Sequence, residues 1–153
     1  PGPGQPKDFG VPDLVRTIAG LGIPQFGVCL GLQGIVEAFG GELSVMDVPR
    51  HGKYWKLDHD GTGLFDGVAQ GNRVGGYHSL LAVSTKIPDD LEVIARNEVG
   101  MVMAVRHTSQ PIAAVQFHPE SILSMDARAG HRIVENVLTV LLPGSDATKT
   151  AAR

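Results

Sequence analysis

The sequence predicts an α/β protein with a mixed, mainly parallel sheet flanked by helices. Three observations support this fold class: a helix–strand–helix pattern near the start, a series of short apolar runs separated by turn residues, and an amphipathic helix near the end. The 153 residues are enough for one domain with a sizeable core. Apolar residues make up 42% of the chain and charged residues 19%, which is typical of a globular protein.

The first elements form the opening of an α/β unit. Apolar residues at helical spacing predict a helix over residues 8–22, with Pro12 near its start. Residues 24–28 form a short apolar run that predicts a buried strand. A second helix is expected over residues 30–39, where the following pair of glycines ends it.

The middle of the chain predicts several strands and one further helix. A strand is expected over residues 42–48, followed by a segment rich in Gly, Asp and His over residues 49–68, where we place His59 in a polar loop. Four apolar runs then predict strands, at residues 73–85, 91–96, 101–106 and 112–117. The last element is an amphipathic helix over residues 126–142.

The two ends differ from the rest of the chain. The chain opens with PGPGQP and without an initiating Met, so we expect the C-terminal part of a longer protein, with the N-terminal strands of the sheet missing. Residues 143–153 are small and polar, and a disordered tail is expected there. The prediction is therefore one domain over residues 1–142, truncated at its N-terminus, and a tail.

Composition argues against several classes of function. The net charge is −3 and no cluster of Lys and Arg occurs, so neither nucleic acid nor an anionic membrane is an expected partner. No apolar run approaches the roughly 18 residues of a membrane-spanning helix, and no signal peptide is present. A single cysteine suits a reducing compartment, and a cytoplasmic location is expected. Close-spaced His and Cys ligands are absent, so no metal site is expected.

The only cysteine, Cys29, lies in the sequence GVCLG, between the predicted strand and the helix that follows it. The form G-x-C-x-G matches, with cysteine for serine, the nucleophile elbow of α/β-hydrolases. The free N–H groups of the following helix favour a thiolate, and the amide of Leu30 is placed to bind an oxyanion. The alternative is a buried structural cysteine, which this stretch alone favours about equally.

A thiol nucleophile needs a base and a group that orients the base. His118 ends an apolar strand in QFHPES, and Glu120 follows two residues later. Residues i and i+2 of an extended chain point to the same side, and Pro119 stiffens the link. His118 and Glu120 are therefore the predicted base and orienting group, while the alternative for His118 is a capping role at the strand end. His51 and His78 are kept as candidates for binding roles.

Four motifs occur in one order along the chain: PGPG, GVCLGLQ, YHSL and FHPES. Together they resemble the class I (triad-type) glutamine amidotransferase domain, a flavodoxin-like fold, over almost the whole chain. The motif sequences are most similar to those of the glutaminase component of anthranilate synthase and of aminodeoxychorismate synthase. FGVCLGLQG and RIVENVL resemble versions fused behind a chorismate-binding synthase in one polypeptide. One departure is Leu32, where many members of the family carry His.

The resemblance implies a mechanism and a set of partners. Cys29 attacks the side-chain amide of L-glutamine, His118 acts as base and then acid, and Glu120 orients His118. The ammonia released passes to a chorismate-binding synthase subunit or fused upstream domain. No cofactor is expected in this domain, and Mg²⁺ is expected only on the synthase partner. The residues implied in holding glutamine or its oxyanion are Gly2, Pro3, Gly4, Leu30, Gln33, Ser79 and Leu80.

Three other functions remain as alternatives. One is a different cysteine-nucleophile enzyme on the same fold, such as a γ-glutamyl hydrolase or a peptidase. Another is a non-catalytic amidotransferase-like domain that binds a partner. The least favoured is a metal-binding module. The motifs PGPG, HGK and YHSL argue against the first, and the intact set of Cys29, His118 and Glu120 argues against the second.

Overall fold

The structure is a computed structural model that describes residues 4–142. Its helices are α1 (Val11–Gly20), α2 (Leu30–Ala38) and α3 (Ala129–Leu141). Its strands are β1 (Gln25–Val28), β2 (Leu43–His59), β3 (Arg73–Ala82), β4 (Leu91–Asn97), β5 (Val102–His107) and β6 (Ile112–Val115). The tail predicted for residues 143–153 lies outside the described residues.

The six strands form one sheet in the order β1-β6-β5-β4-β2-β3. The α/β class and the mixed sheet are confirmed, but the expectation of a mainly parallel sheet was wrong for the described strands. Only β1 and β6 pair in parallel, and every other neighbouring pair is antiparallel. Strands β4, β5 and β6 follow one another through short turns, and short turns join antiparallel strands.

Strand β2 is the element that differs most from the sequence prediction. Its 17 residues continue through the segment expected to be a polar loop. It pairs first with β3 and then, from Leu57 to His59, with β4. The register of its pairing with β3 shifts between Val45 and Arg50, and again between His51 and Lys53 in the HGK sequence. Trp55 and Leu57 are buried while Lys56 and Asp58 are exposed, so the polar residues belong to an alternating strand.

Two apolar clusters cover the two faces of the sheet. One joins Met103, Val115 and Phe117 to Ile133 of α3. The other joins Val105 and Ile112 to residues of α1 and α2, including the fully buried Leu32. Successive residues of β6 contribute to opposite clusters, as the twofold period of a strand requires. Helices α1 and α2 therefore pack on one face of the sheet and α3 on the other. Leu32, in α2, is a core residue.

The last helix begins three residues later than the sequence predicts. Ala127 and Arg128 have positive φ angles of 47° and 60°, so the chain bends before α3 starts at Ala129. Left-handed backbone at a residue with a Cβ is unfavourable and interrupts a helix. Within the described part of the chain, no helix is long and apolar enough to cross a membrane.

Candidate active site

Cys29 occupies a strained turn between β1 and α2. Its φ of 56° and ψ of −102° lie outside the regions that a residue with a Cβ ordinarily adopts. The turn is held from both sides, because the amide of Cys29 donates to the carbonyl of Val115 at 2.8 Å and its carbonyl accepts from Gln33 at 3.2 Å. The Cys29 side chain thus projects from the carboxyl end of β1, next to its parallel neighbour β6.

The two glycines that flank Cys29 have different roles. A Cβ built on Gly27 would lie 2.7 Å from the carbonyl carbon of Gly31 and 2.9 Å from Cδ1 of Ile35. A Cβ on Gly31 would meet nothing within 4 Å. Gly27 is therefore required for the close approach of β1 and α2, whereas Gly31 is not required by space. The first glycine of the motif fixes how tightly the turn closes.

His118 and Glu120 form a hydrogen-bonded pair just beyond the end of β6. Nδ1 of His118 lies 2.7 Å from Oε1 of Glu120. The backbone of His118 is held by three bonds. Its amide donates to the Gly75 carbonyl at 3.1 Å, and its carbonyl accepts from the Ser121 amide at 3.1 Å and from the Ser124 hydroxyl at 2.6 Å. With Nδ1 donating to the carboxylate, Nε2 of His118 is left with a lone pair for a proton.

Helix α3 supports the segment that carries this pair. A Cβ on Gly130 would lie only 2.0 Å from the carbonyl oxygen of Pro119. The helix start and the His-Pro-Glu segment are thus in direct backbone contact. No other residue type fits at this position without moving one of the two elements.

A small pocket of about 100 Å³ opens above Cys29. Its lining consists of Gly4, Cys29, Gln33, His51, Tyr77, His78, Ser79 and Leu80. Tyr77 links the pocket to the histidine pair, since its ring meets the ring of His118 edge to face with centroids 5.3 Å apart. The pocket therefore joins the thiol to a polar wall, and Tyr77 connects this wall to His118, which lies outside the lining.

Burial dominates the electrostatics of the thiol. It raises the pKa of Cys29 above its ordinary value of 9.0, and the charge of Glu120 acts in the same direction. Hydrogen bonds from the Leu30 amide and from Gln116 lower the pKa and oppose the burial effect. The expectation that the helix N-terminus makes the thiolate dominant is not met in this structure, because desolvation penalises the charged form more.

His78 is a neutral, buried member of the pocket wall. Burial lowers its pKa, and its side chain is 3% exposed. Nδ1 of His78 donates to the carbonyl of Leu80 at 2.9 Å, while Nε2 is buried without a hydrogen-bond partner. His78 thereby holds the Ser79–Leu80 segment in place, and its Nε2 remains an acceptor without a donor.

The structure brings most of the sequence-predicted site residues together. Cys29, Gly4, Gln33, Ser79 and Leu80 line one pocket, with Leu30 at the adjoining helix start. Both histidines kept as binding candidates, His51 and His78, also line it. Gly2 and Pro3 lie outside the described residues. The other histidines lie elsewhere: His59 stacks on Phe65, His107 accepts two turn amides, and His131 is exposed on α3.

Sequence reasoning missed three residues of this region. Tyr77 packs against His118, Ser124 holds the His118 backbone, and Gln116 contacts the thiol. Gln116 and Tyr77 lie within motifs that the sequence analysis had singled out. The available signal for Gln116 was a polar residue in an otherwise apolar strand, where a buried amide needs partners. Among residues 4–142, no group of three or more His, Cys, Asp or Glu side chains is placed to hold a metal ion.

Comparison with known proteins agrees with the fold. Residues 1–140 match the family model for class-I glutamine amidotransferase. A GMP synthase protein from Thermoplasma acidophilum has a similar fold, with a TM-score of 0.69 at 24% identity over 86% of this chain and 67% of that one. A glutamine amidotransferase from Thermotoga maritima gives 0.63 at 19% identity, over 81% and 50%. The chain belongs to the class-I glutamine amidotransferase family.

Curated relatives are more similar in sequence. The anthranilate synthase of Azospirillum brasilense is 50% identical over 95% of this chain and 20% of its own length. The anthranilate synthase component 2 of Haloferax volcanii is 46% identical over 92% of this chain and 70% of its length. The aminodeoxychorismate synthase of Streptomyces griseus is 46% identical over 89% of this chain and 18% of its length. The chain thus spans from about a fifth to about 70% of these relatives.

Proposed function

We propose that this chain is the glutaminase of a chorismate-aminating synthase. It hydrolyses L-glutamine through a thioester on Cys29 and delivers the ammonia to the synthase. The observation that carries the proposal is the pocket in which a strained-turn thiol meets Gln33, Ser79 and Leu80, beside the hydrogen-bonded pair of His118 and Glu120. Family membership supports the same reaction.

In the proposed reaction, Nε2 of His118 takes the thiol proton and the sulfur attacks the side-chain amide carbon of glutamine. A C–S bond forms, and the tetrahedral intermediate collapses with cleavage of the C–N bond. His118 returns the proton to the leaving nitrogen, so ammonia departs and a thioester remains. A water molecule, deprotonated by His118, then attacks the thioester and releases glutamate and the thiol. Glu120 holds the His118 ring throughout.

The oxyanion of both tetrahedral intermediates needs donors at the turn. The first amides of α2 have no helical acceptor, and the first of them, that of Leu30, hydrogen-bonds the sulfur of Cys29. We assign Leu30 to this role, together with the Gly2–Pro3–Gly4 turn, of which the structure describes Gly4 in the pocket lining. Gln33, Ser79 and Leu80 are assigned to holding the substrate.

We propose anthranilate formation, in the tryptophan pathway, as the use of the ammonia. The support is the similarity to anthranilate synthases of separate and single-chain architecture. The aminodeoxychorismate synthase relative supports a second candidate, in which the same glutaminase serves folate synthesis. The acceptor chemistry is carried by the synthase in either case, with chorismate as its substrate.

The proposed chemistry assigns every proton transfer and bond change to side chains of this chain. We therefore assign no cofactor to this domain and place Mg²⁺ on the synthase partner. The lone cysteine supports a reducing compartment, and we propose the cytoplasm.

The experiment that tests the glutaminase uses a diazoketone analogue of glutamine on the full protein with its synthase. We expect one adduct on the peptide that carries Cys29, protection by excess glutamine, and no adduct in the Cys29→Ala variant. His118→Ala should label far more slowly, whereas His131→Ala, an exposed histidine on α3, should label normally. Labelling elsewhere, or equal labelling of all variants, contradicts the proposal.

The two acceptor candidates are separated by the product. The complex is given glutamine and chorismate, and the aminated product is analysed by fluorescence and mass spectrometry. Anthranilate supports the tryptophan assignment. Aminodeoxychorismate supports the folate assignment and contradicts the first, while the glutaminase proposal holds for both.

A further inference from the structure

A chain of buried hydrogen bonds connects the thiol to the pocket wall. Nε2 of Gln116 lies 3.6 Å from Sγ of Cys29. Oε1 of Gln116 accepts from Nε2 of Gln33 at 3.2 Å, and the same Nε2 donates to the carbonyl of Leu80 at 3.2 Å. Gln33 is 3% exposed and Gln116 is fully buried. Water therefore does not compete for these amides.

The carbonyl of Leu80 fixes which atoms donate and which accept in this series of hydrogen bonds. A backbone carbonyl only accepts, so Gln33 must turn its NH₂ group towards Leu80. The same NH₂ group then faces Gln116, which must present its carbonyl oxygen. The NH₂ group of Gln116 is thereby left to face the sulfur, where it acts as a donor. The reversed arrangement would bring two NH₂ groups together, with neither satisfied.

We propose that Gln116 is a positioning residue that stabilises the Cys29 thiolate, and that Gln33 and Leu80 hold it in the donating orientation. The inference rests on the proposed function, because it assigns a task within the same site. An N–H donor favours the charged form of the sulfur, and a donor to a charged group is stronger than a donor to a neutral one. Gln116 lies two residues before His118, so one segment supplies both groups.

The surroundings of the thiol show why a donor is needed there. Burial opposes ionisation of Cys29, and the carboxylate of Glu120 opposes it further. The other titratable groups around the pocket are His51, Tyr77, His78 and His118. His78 is held neutral by burial, and His118 is paired with Glu120. Gln116 is thus an uncharged donor at a site where the nearest carboxylate works against the thiolate.

The first test measures the pH dependence of alkylation of Cys29 by iodoacetamide, quantified on the peptide that carries it. The Gln116→Met variant keeps a side chain of similar length and removes the donor. We expect the apparent pKa of the thiol to rise by about one unit, which slows alkylation about tenfold at pH values below both pKa values. Alkylation needs neither glutamine nor turnover, so this result is independent of the glutaminase assay.

A matched control is Gln25→Met in β1. Gln25 is a partly buried glutamine whose Nε2, like that of Gln33, donates to a backbone carbonyl, here that of Val15 at 3.2 Å. None of the described hydrogen bonds joins Gln25 to the thiol of Cys29. The pH profile of Cys29 alkylation in Gln25→Met should match that of the wild type. An equal shift of the pKa in Gln25→Met and Gln116→Met would mean that both substitutions loosen the core in general, which would overturn the proposal.

A second variant tests the orienting chain and covers the case in which Gln116→Met fails to fold. Gln33→Met removes the donor that fixes the Gln116 carbonyl, so the pKa of Cys29 should rise by less than in Gln116→Met. The double variant should show the same pKa of Cys29 as Gln116→Met alone, because Gln33 affects the thiol only through Gln116. Additive shifts, or an unchanged pH profile in either folded single variant, overturn the proposal. A wild-type protein that releases no glutamate from glutamine, while the variants show these pKa shifts, would instead count against the proposed function and leave the role of Gln116 standing.

Discussion

Nδ1 of His118 lies 2.7 Å from Oε1 of Glu120, and the two side chains differ greatly in exposure: 13% for the histidine and 59% for the glutamate. The imidazole is held within the site while the carboxylate remains largely in water. The pair therefore forms without the cost of burying a charge. The local backbone, with Pro119 between the two residues, aligns them, and contacts with Gly75 and Gly130 hold the segment in place.

Glu120→Gln should lower glutamine turnover by about ten- to a hundredfold while leaving the fold intact. The amide can still meet the ring but no longer stabilises the imidazolium that forms when His118 takes the thiol proton. Because Glu120 is more than half exposed, water replaces part of the lost interaction. The measurement is glutamate release under saturating glutamine. Glu135→Gln, an exposed glutamate on α3 whose carboxylate pairs with Arg132, is the control and should behave as wild type.

Cys29→Gly should be more stable than Cys29→Ala by about 1 kcal/mol, measured by urea unfolding. Alanine keeps the Cβ that makes φ of 56° with ψ of −102° unfavourable, and glycine removes it. At ordinary positions the order is reversed. Ala38→Gly, in the same helix α2, should lose about 1 kcal/mol and serves as the control. A glycine variant less stable than the alanine variant would show that the turn is not strained.

Gly27→Ala and Gly31→Ala should have opposite effects, although both glycines flank the same cysteine. The first places a Cβ 2.7 Å from backbone of α2 and must push β1 and the helix apart. The second meets open space and replaces a helical glycine by the best helix former. We expect the melting temperature to fall for Gly27→Ala and to stay level or rise for Gly31→Ala. Equal losses would contradict the packing described here.

The raised pKa of Cys29 predicts a pH-dependent stability. A raised folded-state pKa means that the folded protein holds the proton more tightly than the unfolded chain, whose thiol titrates near 9.0. The contribution is fully present below that pH and is lost as the pH rises through the folded-state pKa. The difference in free energy of unfolding between wild type and Cys29→Ala should therefore shift against the wild type as the pH rises above 9.0 towards the raised pKa of the folded state. A difference that stays constant would mean an unperturbed thiol.

The order of elements and the chemistry-bearing residues followed from the sequence. Cys29 between two glycines, and His118 two residues before Glu120, are local patterns, and local backbone geometry determines what they present. The α/β class followed from the helix–strand–helix start for the same reason. The long β2 strand was not predicted, because its alternating polar residues include a Gly and several charges that are equally typical of a loop.

Other features depend on contacts between residues far apart in the chain. Pairing partners made the described sheet mostly antiparallel, since short connections between β4, β5 and β6 constrain direction more than apolar runs do. Burial raised the pKa of Cys29, against the effect of its helix N-terminus. The link from Leu80 through Gln33 and Gln116 to the thiol joins three separate segments. Sequence alone determined which groups exist and which near neighbours they meet, whereas the tertiary structure decided their desolvation and orientation, because both depend on packing across the chain.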